Sequence, residues 1–388
     1  MIDSVDGDIA ALAGSLVEWR RDFHRHPELG FEERRTSAVV RAFLEQCGLE
    51  VRPCGGTGLR GVLRGGGDGP TVALRADMDA LPLAEEGDRD YRSESPGIMH
   101  ACGHDGHMAI LMGAAKVLAS RRASLPGTVV FLFQPSEEQH PGGAPGMIAE
   151  GALDGVSRIF GLHLWQPLPT GVVGIRAGAF MAQADEFEIT VTGRGGHAAM
   201  PQATIDPVLV AAHLVVAAQP IVSRSIDPLE SAVLSFTTVH GGRVHNIIPD
   251  SVTLTGTVRT LDSAVQRTMK QRLREVTEAT CAAYGATASL RYLDGYPPLV
   301  NDAPAVALVV DVARRVLGDA CVRTVAPSMG GEDFAYYLQH VPGAFAFLGM
   351  GDGHPFPHHN ARFDIDERAL PIGVRLMTGV ALAMLSAR

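Results

Sequence analysis

The sequence predicts an α/β fold with a mostly parallel sheet and an inserted domain of a different type. Residues 129–133 and 159–162 form short, continuous apolar runs, which are typical of strands buried on both faces. Helical stretches lie between these runs, as in a parallel α/β sheet. From residue 185 the pattern changes to alternating polar and apolar positions, which indicates a sheet with one solvated face.

The first half of the chain begins with helices and continues into strands. Helical spacing of apolar residues predicts helices over residues 4–26 and 37–47, which end at Pro27 and Gly48. Residues 61–64, a glycine-rich turn at 65–69 and residues 71–77 predict a hairpin that leads into a central strand. Two further helices are expected at 303–317 and 368–386, where the first domain resumes.

The inserted domain has its own order of elements. It comprises a strand at 185–192, a helix at 207–218, strands at 232–239 and 251–259, a long helix from 262 to Gly285, and a strand at 286–292. This βαββαβ order is the ferredoxin-like arrangement. We therefore expect one discontinuous domain over residues 1–180 and 294–388, and a second over 181–293.

Composition excludes several classes of protein. The chain has 388 residues, which is enough for two domains with separate cores. Its 43 acidic and 33 basic residues give a net charge of −10, which argues against nucleic-acid binding. Five scattered cysteines do not indicate a disulfide framework. No signal peptide is evident, and we expect that no apolar run approaches the length needed to span a bilayer. These observations predict a cytoplasmic protein.

The segment from His100 to His107 contains three histidines, a cysteine and an aspartate within eight residues. An apolar run at helical spacing follows, so this segment is expected to be a loop at a helix N-terminus. Cys102 and His104 lie two residues apart, and a loop can direct both at one point. Thiolate and imidazole together suit zinc and other divalent transition metals. The alternative is a buried thiol beside helix-capping polar residues.

Acidic and imidazole groups follow three of the predicted strands. These residues are Asp77, Asp79, Glu137, Glu138 and His163. In open α/β sheets the functional site lies outside the carboxyl ends of the strands, so we expect these groups to converge beside the Cys/His loop. Adjacent glutamates point to opposite sides, so one can bind metal while the other transfers protons. Taken singly, each has an alternative as a capping or loop residue.

Further candidate functional residues lie outside these segments. A proline-rich segment near the C-terminus carries His354, His358 and His359, and their spacing does not distinguish among them. The inserted domain presents His197 in a glycine-rich loop. Its Asn246 and Arg259 are candidates for holding a carboxylate, although the residues alone favour ordinary polar surface.

Eight motifs in order resemble those of a known family. They are Arg75–Pro82 (RADMDALP), His100–His107 (HACGHDGH), Gln134–Glu138 (QPSEE), Gly161–His163 (GLH), Gly193–His197 (GRGGH), Asn246–Asp250 (NIIPD), Gly256–Thr260 (GTVRT) and Gly330–Phe334 (GGEDF). The set resembles the amidohydrolase branch of the aminoacylase/carboxypeptidase metallopeptidases. This branch includes hippurate hydrolases, indole-acetyl-amino-acid hydrolases and N-acyl-L-amino-acid amidohydrolases. The resemblance covers almost the whole chain.

The resemblance implies a role for each matching residue. The implied metal ligands, with the cysteine sulfur bridging, are Cys102, His104, Glu138, His163 and His359. His359 is chosen because His359-Asn360, Phe363 and Asp366-Glu367 fit the family's terminal motif. The remaining implied roles are Glu137 as general base, His197 at the partner subunit's site, Asn246 and Arg259 as substrate contacts, and Asp77 and Asp79 behind the ligands.

The resemblance also implies an activity and partners. Two divalent ions (Mn, Zn, Co or Ni) would activate a bridging water, and Glu137 would accept its proton as it attacks an amide carbonyl. The expected substrates are N-acyl-L-amino acids, cleaved to a carboxylic acid and a free amino acid. The alternatives are a dipeptidase or carboxypeptidase of the same superfamily, or a catalytically inactive metal-binding relative. A homodimer or homotetramer through the inserted lid domain is expected, with no nucleic-acid or membrane partner.

Overall fold

A computed structural model describes residues 5–352 and 355–387. These residues form two compact units. The first unit consists of described residues within Met1–Gly178, Val300–Ala326 and Asp333–Arg388, and the second of Ala179–Leu299 and Pro327–Glu332.

The described residues form ten α-helices and sixteen strands. The helices are α1 (Asp6–Arg25), α2 (Arg34–Gln46), α3 (His104–Ala119), α4 (Ala144–Ala149), α5 (Pro207–Ala218), α6 (Pro220–Ser225), α7 (Ser263–Ala283), α8 (Ala303–Leu317), α9 (Ala335–Leu338) and α10 (Ala369–Ser386). The strands are β1 (Glu50–Pro53), β2 (Leu59–Arg64), β3 (Thr71–Asp77), β4 (Thr128–Gln134), β5 (Val156–Trp165), β6 (Val173–Ile175), β7 (Gly178–Met181), β8 (Gln183–Thr192), β9 (Gly196–His197), β10 (Ala232–His240), β11 (Ile247–Ile248), β12 (Ser251–Thr260), β13 (Thr287–Leu293), β14 (Leu299–Asn301), β15 (Val322–Thr324) and β16 (Gly343–Gly349).

The first unit contains an eight-stranded sheet in the order β1-β2-β4-β3-β5-β16-β6-β15. Its four central strands β4, β3, β5 and β16 are parallel neighbours, and β1 and β2 join one edge in antiparallel pairs. Every residue of β16, and every residue of β4 after the first, is buried. This burial explains the continuous apolar runs, because both faces of the central strands are covered. The predicted α/β class with a mostly parallel sheet is confirmed.

The predicted hairpin between β2 and β3 is wrong. Strand β2 pairs antiparallel with β4, and β3 pairs parallel with the other side of β4. Arg64 and Thr71 both lie opposite Thr128, so the glycine-rich segment crosses over the start of β4. The crossing is tight, because a Cβ on Gly65 would lie 2.3 Å from the carbonyl oxygen of Gly127. The glycines therefore permit a backbone crossing rather than a two-stranded turn.

Helix α3, which carries the Cys/His segment at its start, packs closely against α10 in the core of the first unit. Glycine allows the close approach, because a Cβ on Gly113 would lie 2.6 Å from Val374 Cγ2. A Cβ on Gly373 would likewise lie 2.5 Å from Ile110 Cδ1. The two helices thus interlock through reciprocal glycine positions, which holds the start of α3 against the sheet.

Within residues 5–352 and 355–387, two helical stretches are long and apolar enough, by length and composition only, to cross a membrane, so the expectation that no apolar run approaches this length is wrong. In the stretch Ala369–Ser386, 72% of the residues are buried, because α10 is a core helix of the first unit. The stretch Pro207–Ser225 has 28% of an 18-residue window buried and is divided at Gln219 into α5 and α6. Length and composition alone do not separate a core helix from a membrane span.

The second unit contains a four-stranded antiparallel sheet in the order β10-β12-β8-β13. Helices α5 and α7 contact this sheet, and alternate residues of β12 are buried, as an amphipathic strand requires. Asp206 and Asp262 cap α5 and α7 by accepting hydrogen bonds from backbone N–H groups of the first turn. The order of sheet and helices is the ferredoxin-like βαββαβ arrangement.

Candidate metal centre

The candidate site is built at the carboxyl edge of three adjacent parallel strands. Strands β4, β3 and β5 are neighbours in the sheet, and Asp77 at the end of β3 lies opposite Gln134 at the end of β4. His163 lies near the end of β5, and His104 is the first residue of α3. Gly103 precedes this helix at φ 92°, a conformation that favours glycine. The sheet order therefore brings together segments far apart in sequence.

The predicted ligands form two groups of three that share one sulfur. One group is Cys102, His104 and His163, and the other is Cys102, Glu138 and His359. Within each group the ligand atoms lie within 4.8 Å of one another. Cys102 Sγ lies 3.4 Å from His163 Nε2, and Glu138 Oε1 lies 3.3 Å from His359 Nε2. One sulfur, three imidazole nitrogens and a carboxylate are a set of donors that would suit divalent transition-metal ions.

Backbone contacts fix which nitrogen of each buried imidazole faces the cluster. His104 Nδ1 donates to the carbonyl oxygen of Asp79 at 2.9 Å, and His163 Nδ1 donates to that of Leu164 at 2.7 Å. Within the described part of the chain, His104 Nε2 is fully buried and makes no hydrogen bond. His163 Nε2 faces Cys102. This is the arrangement of metal-binding histidines, whose second nitrogen is held by an outer partner.

Burial and neighbouring charges shift the pKa values in the cluster. Burial raises the pKa of the Cys102 thiol well above its ordinary value, and the Glu138 and Glu137 carboxylates raise it further. Burial alone would lower the pKa of His104, but the charges of Asp77, Asp79 and Glu138 outweigh it and raise that pKa to about 10. The carboxylates thus attract positive charge to this position, which a bound cation would also supply.

Asp77 and Asp79 contact the segments that carry the proposed ligands, and Asp77 Oδ2 also lies 3.7 Å from His104 Nε2. Asp79 Oδ2 accepts a hydrogen bond from the backbone N–H of Glu138 at 2.9 Å. Asp77 contacts His107 Nδ1 at 2.6 Å and Arg75 Nη1 at 2.7 Å. Although burial opposes its ionisation, the charges of His104, His107 and Arg75 hold the pKa of Asp77 well below its usual range. The two aspartates therefore orient groups around the cluster.

Sequence reasoning assigned no role to His107 or Arg75. His107 Nε2 accepts a hydrogen bond from the backbone N–H of Leu164 at 2.8 Å, so it connects the end of β5 to Asp77. Arg75 also donates to Asp333 at 2.8 Å, which lies far along the chain. Both residues lie in motifs quoted above, and this was the feature of the sequence that could have indicated a role for them.

His358 and His359 have different surroundings. His358 Nε2 donates to the carbonyl oxygen of Leu164 at 2.9 Å, and burial lowers the pKa of this imidazole to about 4. His359 faces Glu138, whose hydrogen bond raises the pKa of His359. The third histidine of the segment, His354, lies outside the described residues. The geometry therefore favours His359 as the ligand.

Glu137 lies beside the cluster. Its side chain is buried, and its carboxylate belongs to a group with His104 and Glu138 whose ligand atoms lie within 4.8 Å of one another. It follows Ser136, whose φ is 50° although it is not glycine. The unusual backbone turn directly precedes the two glutamates and sets their directions.

The remaining predicted residues lie in the second unit. His197 and Asn246 are exposed neighbours on the β9–β11 ribbon, where His197 lies opposite Ile247 and Ala198 N–H donates to the Asn246 carbonyl oxygen. Arg259 lies near the end of β12, roughly 25 Å along that strand from its start beside the ribbon. Burial lowers the pKa of Arg259, and Thr257 Oγ1 accepts a hydrogen bond from it. Within this unit, Arg259 is therefore distant from the other two.

Comparison with known proteins agrees with the resemblance drawn from the motifs. The model of peptidase family M20/M25/M40 matches residues 73–383. An N-acetyl-L-cysteine deacetylase of Bacillus subtilis is 44% identical over 94% of this chain and 86% of that protein. Thermostable carboxypeptidase 1 of Saccharolobus solfataricus is 38% identical over 96% of each chain.

A solved structure is similar over nearly the full length. The crystal structure of Bacillus subtilis YXEP protein, described as a dinuclear metal-binding peptidase, is 35% identical and superimposes with a TM-score of 0.85. The alignment covers 98% of this chain and 100% of that chain. Together, the matched family model, the identity to named hydrolases and the ligand clusters confirm the predicted family and enzyme class. The chain therefore belongs to peptidase family M20/M25/M40 and is an amide-hydrolysing enzyme of that family.

Proposed function

We propose that this enzyme cleaves N-acyl-L-amino acids to a carboxylic acid and a free amino acid, using two divalent metal ions. The observation that carries the proposal is the pair of ligand groups that share Cys102 and lie beside Glu137. The deacetylase relative supports an N-acyl substrate, because its name specifies an N-acetyl amino acid.

The proposed ligands divide between the two cations. Cys102 would bind both ions, His104 and His163 would complete one set, and Glu138 and His359 the other. Bound divalent ions act as Lewis acids on an amide carbonyl and lower the pKa of a nearby water. The sulfur and nitrogen donors are compatible with Zn, Mn, Co or Ni. Asp77 and Asp79 would keep the ligand segments in place through the contacts described above.

Glu137 would perform the proton transfers. Its carboxylate would accept the proton of the attacking water and then donate it to the leaving amine, which would otherwise depart as an unstable anion. This role needs a carboxylate that is close to the cluster but is not itself a ligand, and the Glu137 carboxylate lies within 4.8 Å of ligand atoms of His104 and Glu138.

The second unit would supply substrate contacts and the subunit interface. We place the lid over residues 181–293, with His197 acting at the partner subunit's site and Asn246 and Arg259 binding the substrate carboxylate. An exposed apolar face on α5 supports self-association as a homodimer or homotetramer, because it includes Val208, Leu209 and Val216. The proposed location is the cytoplasm, and the proposed partner is a small molecule.

The test combines metal analysis with a substrate screen. Purified protein is assayed for metal content and for hydrolysis of N-acetyl-L-cysteine, other N-acyl amino acids and dipeptides with a free N-terminal amine. We expect N-acyl amino acids to be preferred and two ions per chain. Glu137→Gln should keep both ions and lose about 10²–10⁴-fold in kcat, whereas Glu138→Gln should lose metal.

Two results would contradict the proposal. Faster cleavage of dipeptides than of N-acyl amino acids would favour the peptidase alternative, for which the carboxypeptidase relative is the supporting observation. Full hydrolysis by metal-loaded Glu137→Gln would remove the base assignment.

A further inference from the structure

Glu33 is a buried carboxylate that contacts the loop bearing the two glutamates. It directly precedes α2 and has 0% exposed surface. Its Oε1 accepts a hydrogen bond from the backbone N–H of Ser136 at 2.9 Å, and its Oε2 accepts one from the Thr57 hydroxyl at 2.5 Å. Ser136 is the residue before Glu137. A carboxylate from the start of the chain therefore reaches the backbone of the proposed active-site loop.

The backbone at Ser136 needs such support. Its φ of 50° lies in the left-handed region, which is strained for a residue other than glycine. The turn is confined on another side by Gly30, where an added Cβ would lie 2.6 Å from Ser136 Oγ. The Ser136 carbonyl oxygen accepts a hydrogen bond from Gly143 N–H at 2.9 Å. The conformation is thus held by several contacts, of which the Glu33 carboxyl group provides the acceptor for the Ser136 N–H.

The loop is anchored on both sides of Glu137. Glu33 accepts the N–H of Ser136, and Asp79 accepts the N–H of Glu138, each at 2.9 Å. The N–H groups before and after Glu137 are therefore both held by buried carboxylates. This leaves the loop little freedom to rotate the two glutamates away from the cluster.

We propose that Glu33 is a positioning residue that fixes the 135–138 loop and thereby the directions of Glu137 and Glu138. This inference rests on the proposed function for its catalytic consequence. The contacts themselves predict a separate consequence for metal binding, because Glu138 is one of the proposed ligands.

The chemistry of Glu33 allows its charge to be separated from its hydrogen bond. The pKa of Glu33 is raised to about 7, chiefly by burial, against the opposing effect of the Thr57 hydrogen bond. Glutamine at this position keeps an oxygen acceptor for Ser136 N–H and lets Thr57 accept instead of donate. Alanine removes the acceptor, and aspartate keeps the charge but shortens the side chain.

Glu28 provides a matched control in the same region. Its carboxylate accepts hydrogen bonds from the backbone N–H groups of Arg35 and Thr36 at 3.0 and 2.8 Å, and so caps α2. These contacts do not involve the 135–138 loop. Glu28→Ala should therefore report the cost of losing a half-buried carboxylate that accepts backbone N–H groups near α2, without disturbing the loop.

The experiment measures kcat, KM, metal affinity by chelator competition and thermal unfolding for Glu33→Ala, Glu33→Asp, Glu33→Gln and Glu28→Ala. We expect Glu33→Ala and Glu33→Asp to lower kcat by at least about tenfold with little change in KM, since small displacements of catalytic groups are costly. Both should release one metal ion more readily. Glu33→Gln should recover kcat and metal affinity, and Glu28→Ala should keep both while losing stability.

Each outcome decides the proposal. Unchanged kcat and metal affinity in Glu33→Ala, or equal losses in Glu28→Ala, would overturn it. If Glu33→Ala does not fold, Glu33→Asp against Glu33→Gln makes the same comparison. If the native enzyme hydrolyses no N-acyl amino acid, the proposed function fails, and metal affinity still tests the positioning role.

Discussion

Replacing Arg20 by methionine should destabilise the first unit more than any surface charge change. Arg20 lies on α1 with 0% exposed surface. Its guanidinium lies 2.8 Å from Asp105, 2.7 Å from Asp364 and 3.3 Å from Glu367. Asp105 follows the proposed ligand His104, and Asp364 belongs to the segment that carries His359. One buried cation therefore connects α1 to two ligand-bearing segments.

The magnitude follows from the carboxylates that would remain. Removing one partner of a buried ion pair costs about 3–5 kcal/mol, because the other charge stays in a poorly solvated place. His24 reduces the loss, since its Nδ1 lies 2.8 Å from Asp105 Oδ2. Although burial opposes its ionisation, Arg20 and His24 hold the pKa of Asp105 far below its usual range. We therefore expect Arg20→Met to lose about 3 kcal/mol at pH 7.

The sign of the pH dependence is fixed by this lowered pKa. A carboxyl group whose pKa is depressed by folding contributes stability above its unfolded pKa, which is lost as pH falls. Without Arg20 that contribution is reduced. The stability difference between native and variant proteins should therefore be largest near neutral pH and shrink as pH falls below about 4.

The free energies of unfolding of the native protein and Arg20→Met are compared by urea unfolding at pH 7 and at lower pH, with metal content held equal. Arg21→Met is the matched control, because Arg21 is partly exposed and pairs with Glu367, a contact worth about 0–1 kcal/mol. The reasoning would be refuted if Arg20→Met cost less than about 1 kcal/mol, or if the Arg21 variant cost as much.

Three further changes test other parts of the structure. Chelation of the metal should abolish hydrolysis and lower the unfolding temperature, and both should return on adding Zn or Mn, as calorimetry and assays of the same sample would show. His359→Ala should lose metal by elemental analysis, whereas His358→Ala should retain more, because His358 faces a backbone carbonyl. Gly256→Ala should destabilise the second unit by about 1–3 kcal/mol in urea unfolding, since its Cβ would lie 2.3 Å from Phe187 Cζ; an unchanged midpoint would contradict the crowding.

The sequence predicted the fold class because burial leaves a direct trace in it. Continuous apolar runs identified β4 and β5, and alternation identified β8, since each pattern follows from which faces are covered. The wrong hairpin arose because strand neighbours are decided by contacts distant in sequence. Glycines between β2 and β3 resemble a turn, but the contact that requires them is with the backbone of residues 125–127.

Part of the candidate site could be predicted from the sequence, and part could not. Residue types and order suggested which groups could bind metal, and the family resemblance selected among them. The choice of imidazole nitrogen could not be predicted, because it depends on carbonyl groups of Asp79 and Leu164 in other segments. The roles of Arg20 and Glu33 left no signal either. A buried charge on a helix is indistinguishable in sequence from an exposed one until its partners are known.

Charge balance explains why the cluster is suited to cations. Four carboxylates, of Asp77, Asp79, Glu137 and Glu138, lie in or directly beside the ligand groups. Arg75 offsets Asp77 but also pairs with Asp333, so it cannot neutralise the rest. Buried negative charges that lie this close together are costly unless positive charge balances them. Divalent ions would balance the carboxylates and permit Cys102 to ionise, which links metal loading to the stability of the site.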